Sequence, residues 1–537
     1  MSSLPCRADV KPSPTSGSGL FARENIPPGE LILSLARPLI AVLDLPRLSD
    51  SCSNCFIWST TPLFSSKGDA VDKVGVKACS GCKVLKYCST KCQSQSWKRH
   101  HKHECSRFKE FLRSNQLPNA VRATIQILTM RRHGALTDDQ WDSLGRLTSH
   151  LDHIRSTESH KQLLEKIEVL SKGALEISGT QNAFNEGIAQ EIFAKVLTNS
   201  FALITPTYDP LGICLDPLLA SANHSCDPNA FIVMDGPEVS LRALKDIKGD
   251  QEVFISYIDS SNPFYRRQSE LKSRYHFTCA CSNCEKGSTL PQDEFLVSSV
   301  TKYWASKARI LLKERRDLSS TIEHGGPNYV GCDELRLRYM AILQAKAFDA
   351  LEKSRDLEDN QEAMTMLDDN MQMCYQSGMF SPTRQPFAAL RKELYVRTLT
   401  AGQFVAALMQ ASKIHFHVDP VLYPQPHHPL RVVHIWTLVK LIIYLVNEID
   451  SYPPVQNMQE KGGLDFPVIA YSLLLQVEAN VEKSHGKSSR FAQMVYRKAE
   501  EVKSDLTGGN EVILKGFSEC IEPQWRLFKQ AGTWLFC

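Results

Sequence analysis

The apolar positions of this 537-residue chain follow two different patterns. At residues 1–50 and 200–260, short apolar runs alternate with turn residues, as in "GLFARENIPPGELILSLARPLIAV", and predict short strands. At residues 106–200, "LPNAVRATIQILTMRR" and "SHKQLLEKIEVLSKGALEI" carry apolar residues at i, i+3 and i+4, and predict helices. "FISYID" at 254–259 predicts a strand through Phe254, Ile255 and Ile258, in which Tyr257 is either a packed ring or a chemical group.

From about residue 290 onward the helical period dominates, as in "DELRLRYMAILQAKAFDALEKS" and "QPFAALRKELYVRTLTAGQFVAALMQASKIH". Breaks such as "YPQPHHP" separate these segments, which predicts either a helical-repeat array or an ordinary helical bundle, although no clean internal repeat is visible. The most apolar run, "HIWTLVKLIIYLVNEI", is short and is interrupted by Lys440. It predicts a buried helix and not a membrane span.

Length and composition narrow the class of protein. A chain of 537 residues is too long for one core and predicts two to four domains. An apolar share of 42% and a net charge of +3 indicate a folded protein, and argue against a disordered or strongly nucleic-acid-coating one. The first residues, "MSSLPCRADVKPSPTSGSG", lack the apolar core of a secretory signal, and we expect no membrane association.

The seventeen cysteines carry the strongest local signal. Four ligand pairs, enough for two tetrahedral zinc ions, follow one another at close spacing: Cys52 and Cys55, Cys79 and Cys82, Cys88 and Cys92, His101 and Cys105. Such pairs in a chain without a signal peptide indicate zinc in a reducing compartment, not disulfides. The segment has little apolar content, so metal binding would supply its folding energy.

A second cluster, "CACSNC", supplies Cys279, Cys281 and Cys284, one ligand short of a closed zinc site. The candidate for the fourth ligand is Cys226, in "NHSCDPN" some fifty residues upstream. Ligation by Cys226 would close a long loop and tie the cluster to the segment around Asn223.

The tail of the first cluster, "YCSTKCQSQSWKRHHKHEC", closely resembles the MYND zinc module. The resemblance implies interleaved sites, with Cys52, Cys55, Cys88 and Cys92 on one ion and Cys79, Cys82, His101 and Cys105 on the other. His100 and His103 remain alternatives to His101. The long gap between Cys55 and Cys79 predicts an inserted loop within Phe56–Ala78.

Partners of this module are predicted from its charge and from the family. Its lysines form either a solvated basic face or a contact surface for nucleic-acid phosphates or acidic proteins. The family association favours proline-rich peptides over DNA.

The segments "NSF", "ANHSCDPNA", "EVFISYID" and "RYHFTCACSNC" follow one another as in the SET methyltransferase fold, and "SGSGLFA" supplies its N-terminal element. A SET domain interrupted by a MYND module and followed by helices resembles the SET-and-MYND family of lysine methyltransferases. The resemblance implies an α+β protein with a helical, tetratricopeptide-like C-terminal domain. The predicted divisions are an N-terminal SET part at 1–50, the zinc module at 51–105, a helical insertion at 106–198, a C-terminal SET part at 199–260, a post-SET zinc cluster at 261–288 and the helical domain at 289–537.

The activity implied by the resemblance is methyl transfer from S-adenosylmethionine to a lysine of a histone or non-histone protein. The implied catalytic residues are Tyr257 and Tyr275, with Phe201 in the wall of the substrate channel. The implied cofactor-binding residues are Gly17, Ser18, Gly19, His150, Asn199, Asn223, His224 and Phe277. Three structural zinc ions are expected.

Two other classes of function remain to be weighed. The first is a catalytically inactive, zinc-bearing interaction scaffold; the joint presence of Tyr257, Asn223, His224 and the second cysteine cluster favours an enzyme instead. The second is a DNA-binding protein, which lacks a recognition helix beside the zinc ligands. The family further implies a monomer in the nucleus and cytoplasm, acting on chromatin.

Overall fold

The computed structural model describes residues 6–14, 17–58, 75–111, 117–287, 334–377, 380–507 and 520–530. Most of the expected loop within Phe56–Ala78 and the start of the expected C-terminal domain at 289–333 lie outside these residues. The strands are β1 Ala8–Pro12, β2 Ser18–Ala22, β3 Leu31–Leu35, β4 Ile40–Leu43, β5 Lys77–Ala78, β6 Lys86–Tyr87, β7 Phe201–Ile204, β8 Pro210–Leu215, β9 Asn223–His224, β10 Ala230–Asp235, β11 Glu238–Ala243 and β12 Phe254–Ile255.

Helices lie within residues 90–199, 264–285 and 334–507. They are α1 Thr90–Ser96, α2 Lys102–Phe111, α3 Asn119–Arg132, α4 Asp138–Gly145, α5 Leu151–Ser156, α6 Lys161–Ser178, α7 Glu186–Asn199, α8 Phe264–Tyr275, α9 Ser282–Glu285, α10 Glu334–Asp356, α11 Asn360–Gln376, α12 Phe387–Thr400, α13 Phe404–Lys413, α14 Asp419–Leu422, α15 Pro429–Asn447, α16 Pro453–Glu460, α17 Phe466–His485 and α18 Arg490–Thr507. Short 3-10 turns lie at Pro46–Leu48, Glu158–His160, Leu219–Ser221 and Ile449–Ser451, and π-helical turns at Trp97–His101 and Ile414–Val418.

The strands form small sheets rather than one large one. β1 pairs with β2, β10 with β11 and β11 with β3, all antiparallel. β8 lies between β4 and β7, also antiparallel, while β9 and β12 form a short parallel pair. Their inward residues, including Leu20, Leu33 and Leu241, share one buried core. Together with the helices this confirms the predicted α+β class.

Local sequence explains where the insertion helices begin and end. The Asn185 side chain accepts a hydrogen bond from the Ile188 N–H at 2.9 Å, which caps the start of α7. Gly179 ends α6 in the left-handed conformation, at a φ of +66°. α3 packs its apolar face, through Ala123 and Ile127, against Ile40 of β4. The insertion therefore lies directly on the sheet of β4, β8 and β7.

The stretch "FISYID" differs from its prediction. The strand ends at Ile255, and the chain bends at Tyr257 and Ile258. The backbone N–H of Tyr257 donates to a histidine ring, at 3.0 Å, and not to a neighbouring strand. The apolar residues of the stretch predicted a longer strand, because the pattern along the sequence contains no information about a hydrogen bond to the distant ring of His224.

The C-terminal helices pack successively: α10 on α11, α11 on α12, α12 on α13, α13 on α15, α15 on α17 and α17 on α18. α15 is the one helix among the described residues that is long and apolar enough to cross a membrane, with a mean hydropathy of 1.6. More than half of that stretch is buried in the protein, and Trp436, Leu441 and Ile442 lie within its core. This agrees with the predicted buried helix.

The C-terminal helices contact the strands through polar bonds as well as through the ring of Tyr208. Arg490 bonds to Asp235 at the end of β10 at 2.7 Å, and the Arg242 guanidinium of β11 reaches the carbonyl of Glu482 at 3.3 Å. The His427 ring lies 3.2 Å from the carbonyl oxygen of Leu244. These contacts join the two parts of the chain along β10 and β11.

Candidate functional site

Tyr257 is held at both ends by the segment that contains β9. Its backbone N–H donates to the Nδ1 atom of His224 at 3.0 Å, and its hydroxyl donates to the carbonyl oxygen of Ala222 at 2.8 Å. The parallel pairing of β12 with β9 brings these groups together, because it sets Ile255 beside His224. The single O–H of the phenol is used in the hydrogen bond to Ala222. The oxygen lone pairs, which point away from Ala222, can therefore accept a hydrogen bond from another group.

A second tyrosine packs against the first. The rings of Tyr257 and Tyr275 are 5.0 Å apart, and the Tyr275 hydroxyl donates to the Tyr257 carbonyl oxygen at 3.2 Å. Burial raises the pKa of Tyr257 above its usual range, and the neighbouring Tyr275 and Glu252 add to this rise. Tyr257 is therefore a neutral phenol at pH 7. It can orient a donor there but does not act as a phenolate base.

The glycine segment at the N-terminus lies next to the same β9 strand. The Asn223 amide donates to the Ser18 carbonyl oxygen at 3.0 Å and to the Glu252 carboxylate at 2.7 Å. A Cβ on Gly19 would lie only 2.1 Å from that carboxylate, so the position accepts no larger residue without a shift. Gly17 has a φ of +46° and open space around it. The structure thus brings together Gly17, Ser18, Gly19 and Asn223.

Glu252 is a residue of this site to which sequence reasoning gave no role. It is 7% exposed and bonds to Asn223 as well as to the Ser13 hydroxyl, at 3.0 Å. A buried carboxylate with these partners fixes the geometry of the glycine segment. The only sequence signal was an acidic residue next to the apolar start of "VFISYID".

Two further aromatic residues border the site. The rings of Phe277 and His224 are 6.0 Å apart, and Phe277 is only partly buried, in the same cluster as Tyr257 and Tyr275. Phe201 begins β7 and packs, half-buried, against the core that also borders Tyr257. The structure therefore brings Phe277 together with Tyr257 and Tyr275 in one cluster, while Phe201 packs against the larger core of the strands.

Asn199 and His150 lie to one side of that region. The Asn199 amide donates to the Thr148 carbonyl oxygen at 2.8 Å and to the Lys195 carbonyl oxygen at 2.9 Å. His150, in the left-handed conformation at a φ of +55°, has its ring 5.3 Å from that of His276. Asn199 thus anchors the loop that carries His150, and His150 lies beside the Tyr275–Phe277 segment.

Three sets of cysteine-rich donors each converge on one point, with their ligand atoms within 4.8 Å of one another. The sets are Cys52, Cys55, Cys88 and Cys92; Cys79, Cys82, His101 and Cys105; and Cys226, Cys279, Cys281 and Cys284. Sulfur–sulfur separations within them include 3.6 Å for Cys55–Cys88 and 3.8 Å for Cys79–Cys105. A tetrahedral zinc ion with Zn–S bonds of about 2.3 Å requires about 3.8 Å between sulfurs, far longer than a disulfide. The donor sets fit zinc.

The neighbouring histidines take different roles. The His101 Nε2 atom lies 3.6 Å from the Cys82 sulfur, and burial lowers the His101 pKa to about 4, which keeps the ring in its neutral, metal-binding form. The His100 Nδ1 atom bonds instead to the buried Glu104 carboxylate at 3.0 Å, and His103 stacks on His133. Among the three candidates, His101 is the one that faces the cysteines.

The third cysteine set is connected to Tyr257 through His224. The His224 Nε2 atom lies 3.3 Å from the Cys226 sulfur, and its Nδ1 atom accepts the Tyr257 N–H. Since Nδ1 accepts, Nε2 carries the ring proton and donates it to the sulfur. Cys226 in turn lies 3.5 Å from Cys284, 58 residues along the chain. A bond network thus runs from the cysteine set to the backbone of Tyr257.

Comparison with known proteins agrees with this arrangement. Residues 17–258 match the family model of the SET domain. The "SET domain and MYND-type zinc finger protein 6" of Schizosaccharomyces pombe is 31% identical over 288 residues, which cover 52% of each chain. The human "Histone-lysine N-methyltransferase SMYD3" is 29% identical over 303 residues, 55% of this chain and 65% of that protein. The human "N-lysine methyltransferase SMYD2" is 30% identical over 275 residues, 51% of this chain and 59% of that protein.

These matches span between about half and two thirds of the length of each relative. They confirm the resemblance to SET-and-MYND lysine methyltransferases that the motifs predicted. The roles of the individual site residues and the division boundaries remain predictions.

Proposed function

Because residues 17–258 match the SET domain, we propose that this protein is an S-adenosylmethionine-dependent protein-lysine N-methyltransferase. The observation that carries the proposal is the fixing of Tyr257. Its hydroxyl is bonded to the Ala222 carbonyl and its backbone to His224, beside a second tyrosine and the glycine segment. This arrangement positions one oxygen lone pair at a defined place, as positional catalysis requires.

The reaction requires a neutral lysine amine, whose free pKa is about 10.4, directed at an electrophilic carbon. S-adenosylmethionine, when bound, supplies that carbon as a sulfonium methyl group. The half-buried rings of Tyr257, Tyr275 and Phe201 exclude water and disfavour the charged ammonium. The Tyr257 oxygen would accept a hydrogen bond from one N–H of the amine and so orient the single lone pair of its nitrogen for in-line attack.

The residues around β9 fit the cofactor in kind. Ser18 and Glu252 take both N–H groups of the Asn223 amide, which leaves its side-chain oxygen to accept a hydrogen bond from an amino-acid end, and open space adjoins Gly17. The partly exposed ring of Phe277 offers a face on which a purine can stack. His224, Asn199 and His150 would complete the binding site.

We further propose that each of the three cysteine-rich sets holds one structural zinc ion. The separations between donor atoms and the neutral His101 ring support this assignment. Metal analysis of the purified protein should give three zinc equivalents per chain. Two or fewer equivalents in a fully folded protein would contradict the assignment.

Substrate and location are proposed on the strength of the relatives. One relative is named as a histone-lysine enzyme and another as an N-lysine enzyme, so we propose both histone and non-histone lysines as substrates. We propose a monomer in the nucleus and cytoplasm that acts on chromatin. Its cysteine module would bind proline-rich peptides rather than nucleic acid.

The deciding experiment measures transfer of a labelled methyl group from S-adenosylmethionine to mixed core histones and to a cell extract. We expect wild-type protein to label lysine, and Tyr257→Phe to lose most of this activity while keeping its zinc content and its cofactor affinity. The matched control is Tyr375→Phe, which removes the same hydroxyl from an exposed tyrosine of α11 and should retain full activity.

Two other outcomes are informative. Equal labelling by Tyr257→Phe and wild type would remove Tyr257 from the catalytic role while leaving the activity. A folded, zinc-containing protein that binds no S-adenosylmethionine would favour the interaction scaffold.

A further inference from the structure

Four histidines meet where the helical insertion contacts the segment after α8. His150 and His153 lie at the start and middle of α5, and His160 ends the following 3-10 turn. His276 follows α8, between Tyr275 and Phe277, in the left-handed conformation at a φ of +59°. Two sequence segments more than a hundred residues apart thus bring imidazoles to one place.

Three of these rings are arranged as metal ligands. One nitrogen each of His153, His160 and His276 lies within 4.8 Å of the other two. The ring centres are 5.5 Å apart for His153–His160, 5.7 Å for His153–His276 and 5.0 Å for His160–His276. Zinc–nitrogen bonds of about 2.0–2.1 Å at tetrahedral angles set nitrogens about 3.3 Å apart. Small side-chain rotations close the remaining gap.

Unsatisfied polar atoms in the cluster also point to a ligand. The Nδ1 atoms of His160 and His276 are buried, and neither has a hydrogen-bond partner within the described residues. A buried, unpaired imidazole nitrogen is costly unless a metal ion or another group uses its lone pair. Burial, together with the other three histidines, lowers the pKa of His276 to about 4, so this ring is neutral at pH 7, the form that binds metals.

We propose that His153, His160 and His276 form a binding site for a divalent transition metal, separate from the three cysteine sets. Three imidazoles and no thiolate suit Zn²⁺, Ni²⁺ or Cu²⁺ better than a hard cation such as Mg²⁺ or Ca²⁺. His153 is exposed, so the fourth position of the metal faces solvent and is open to water. The ion joins α5 of the insertion to the Tyr275–Phe277 segment.

The test uses the full chain, dialysed until three zinc equivalents remain for the three cysteine sets, and Ni²⁺ as the probe. Ni²⁺ is titrated by calorimetry into wild type, His153→Gln, His160→Gln and His276→Asn, the last chosen because asparagine tolerates the left-handed conformation. We expect one Ni²⁺ equivalent on wild type and at least a tenfold weaker affinity in each variant. Bound Ni²⁺ should also raise the thermal midpoint of wild type but not that of His153→Gln, because binding stabilises the folded state.

The matched control is His133→Gln, which removes an exposed histidine that stacks on His103 at 3.7 Å, outside the cluster. This variant should bind Ni²⁺ as wild type does. The proposal is overturned if wild type takes up no Ni²⁺ equivalent, if all variants bind equally, or if His133→Gln alone loses the binding. His153→Gln is an exposed substitution that leaves the fold intact, so loss of binding there reports on the site itself.

Discussion

The cysteine module and the helical C-terminal domain are stabilised in opposite ways. Around Cys52–Cys105, six metal-ligand candidates are buried together with polar side chains such as Asn54 and Glu104 and with few apolar ones, such as Phe56 and Tyr87. In the helical domain, Trp436, Leu441 and Leu473 lie in a continuous apolar core. The first region depends on donor atoms converging on a point, whereas the second depends on apolar area removed from water.

The difference shows which kind of change each region can tolerate. Loss of one ligand leaves a metal site incomplete, and the few apolar side chains of the module, such as Phe56 and Tyr87, which pack into the core of the strands, replace little of the lost binding energy. Loss of one core side chain removes only part of a distributed interaction. Four experiments test this contrast, from the largest expected effect to the smallest.

The largest effect is expected from Cys79→Ser compared with Cys374→Ser. Both cysteines are buried, but Cys79 belongs to a donor set, whereas Cys374 lies in α11 and belongs to none found among the described residues. Cys79→Ser should release one zinc equivalent and unfold its module, since structural zinc contributes about 10–16 kcal/mol in small modules. Cys374→Ser should keep all zinc and cost about 1–3 kcal/mol. Zinc analysis and hydrogen exchange over residues 79–105 measure both, and equal zinc content in the two variants would remove the contrast.

The next effect is expected in the helical domain. Leu441→Ala, at a fully buried position of α15, should lower the free energy of unfolding by about 2–5 kcal/mol through lost burial and a cavity. Val396→Ala, at a position of α12 that is 52% exposed, should change it by no more than about 0.5 kcal/mol. Urea denaturation followed by circular dichroism gives both values, and neither variant should lose zinc. A similar cost for both would argue against a continuous core.

A smaller effect concerns a buried charge in the same domain. Asp419 faces the His434 Nδ1 atom at 2.8 Å and the Lys392 Nζ atom at 3.5 Å. Burial by itself raises the Asp419 pKa, but these two groups outweigh it and hold the pKa below its ordinary value. Asp419→Asn should therefore cost about 1.5–3 kcal/mol at pH 7.

The pH dependence of that cost has a definite sign. Because the folded pKa of Asp419 lies below the unfolded value of about 3.9, the stabilisation is complete above that value and is lost as the pH falls through the folded one. The difference between wild type and Asp419→Asn should therefore shrink below about pH 4. Zinc release, recorded in the same acid titration, reports on the cysteine module. If zinc release and unfolding of the helical domain followed the same curve against pH, the two regions would not respond to acid separately.

The smallest effect concerns the contact that joins the helical domain to the sheets. Arg490 bonds to Asp235 through its side chain and its backbone, each at 2.7 Å, and its side chain is half exposed. Arg490→Gln keeps the backbone bond and should cost less than about 1 kcal/mol. Urea denaturation measures this cost. A loss of several kcal/mol would show that the two regions are more closely coupled than their separate cores indicate.

The sequence predicted correctly those parts of the molecule in which the spacing of residues along the chain determines the structure. Two cysteines a few residues apart bind the same ion when the chain between them forms a short turn. The eight donors predicted for the module are the eight residues that converge on its two sites. Helical periodicity likewise predicted α3, α6 and the apolar α15. The confirmed α+β class was implied by the family resemblance, and these local patterns agree with it.

The features that sequence reasoning missed depend on contacts between distant segments. The end of a strand at Ile255 depends on the ring of His224, and the burial of Glu252 depends on Asn223 and Ser13. No periodicity encodes such pairs. The histidine cluster is likewise invisible along the chain, since His276 meets His153 and His160 only in the folded protein.

Because His224 bonds to both Cys226 and Tyr257, a chemical modification of Cys226 would change the proposed active site, although Cys226 lies outside it. Alkylation or oxidation of the Cys226 sulfur would remove the acceptor of the His224 ring proton, free the imidazole to turn, and release the backbone N–H of Tyr257. A thiol reagent that reached the buried Cys226 sulfur would therefore inactivate the protein without entering the channel. Inhibition of that kind would resemble damage to an active-site residue, although the modified atom is a structural ligand.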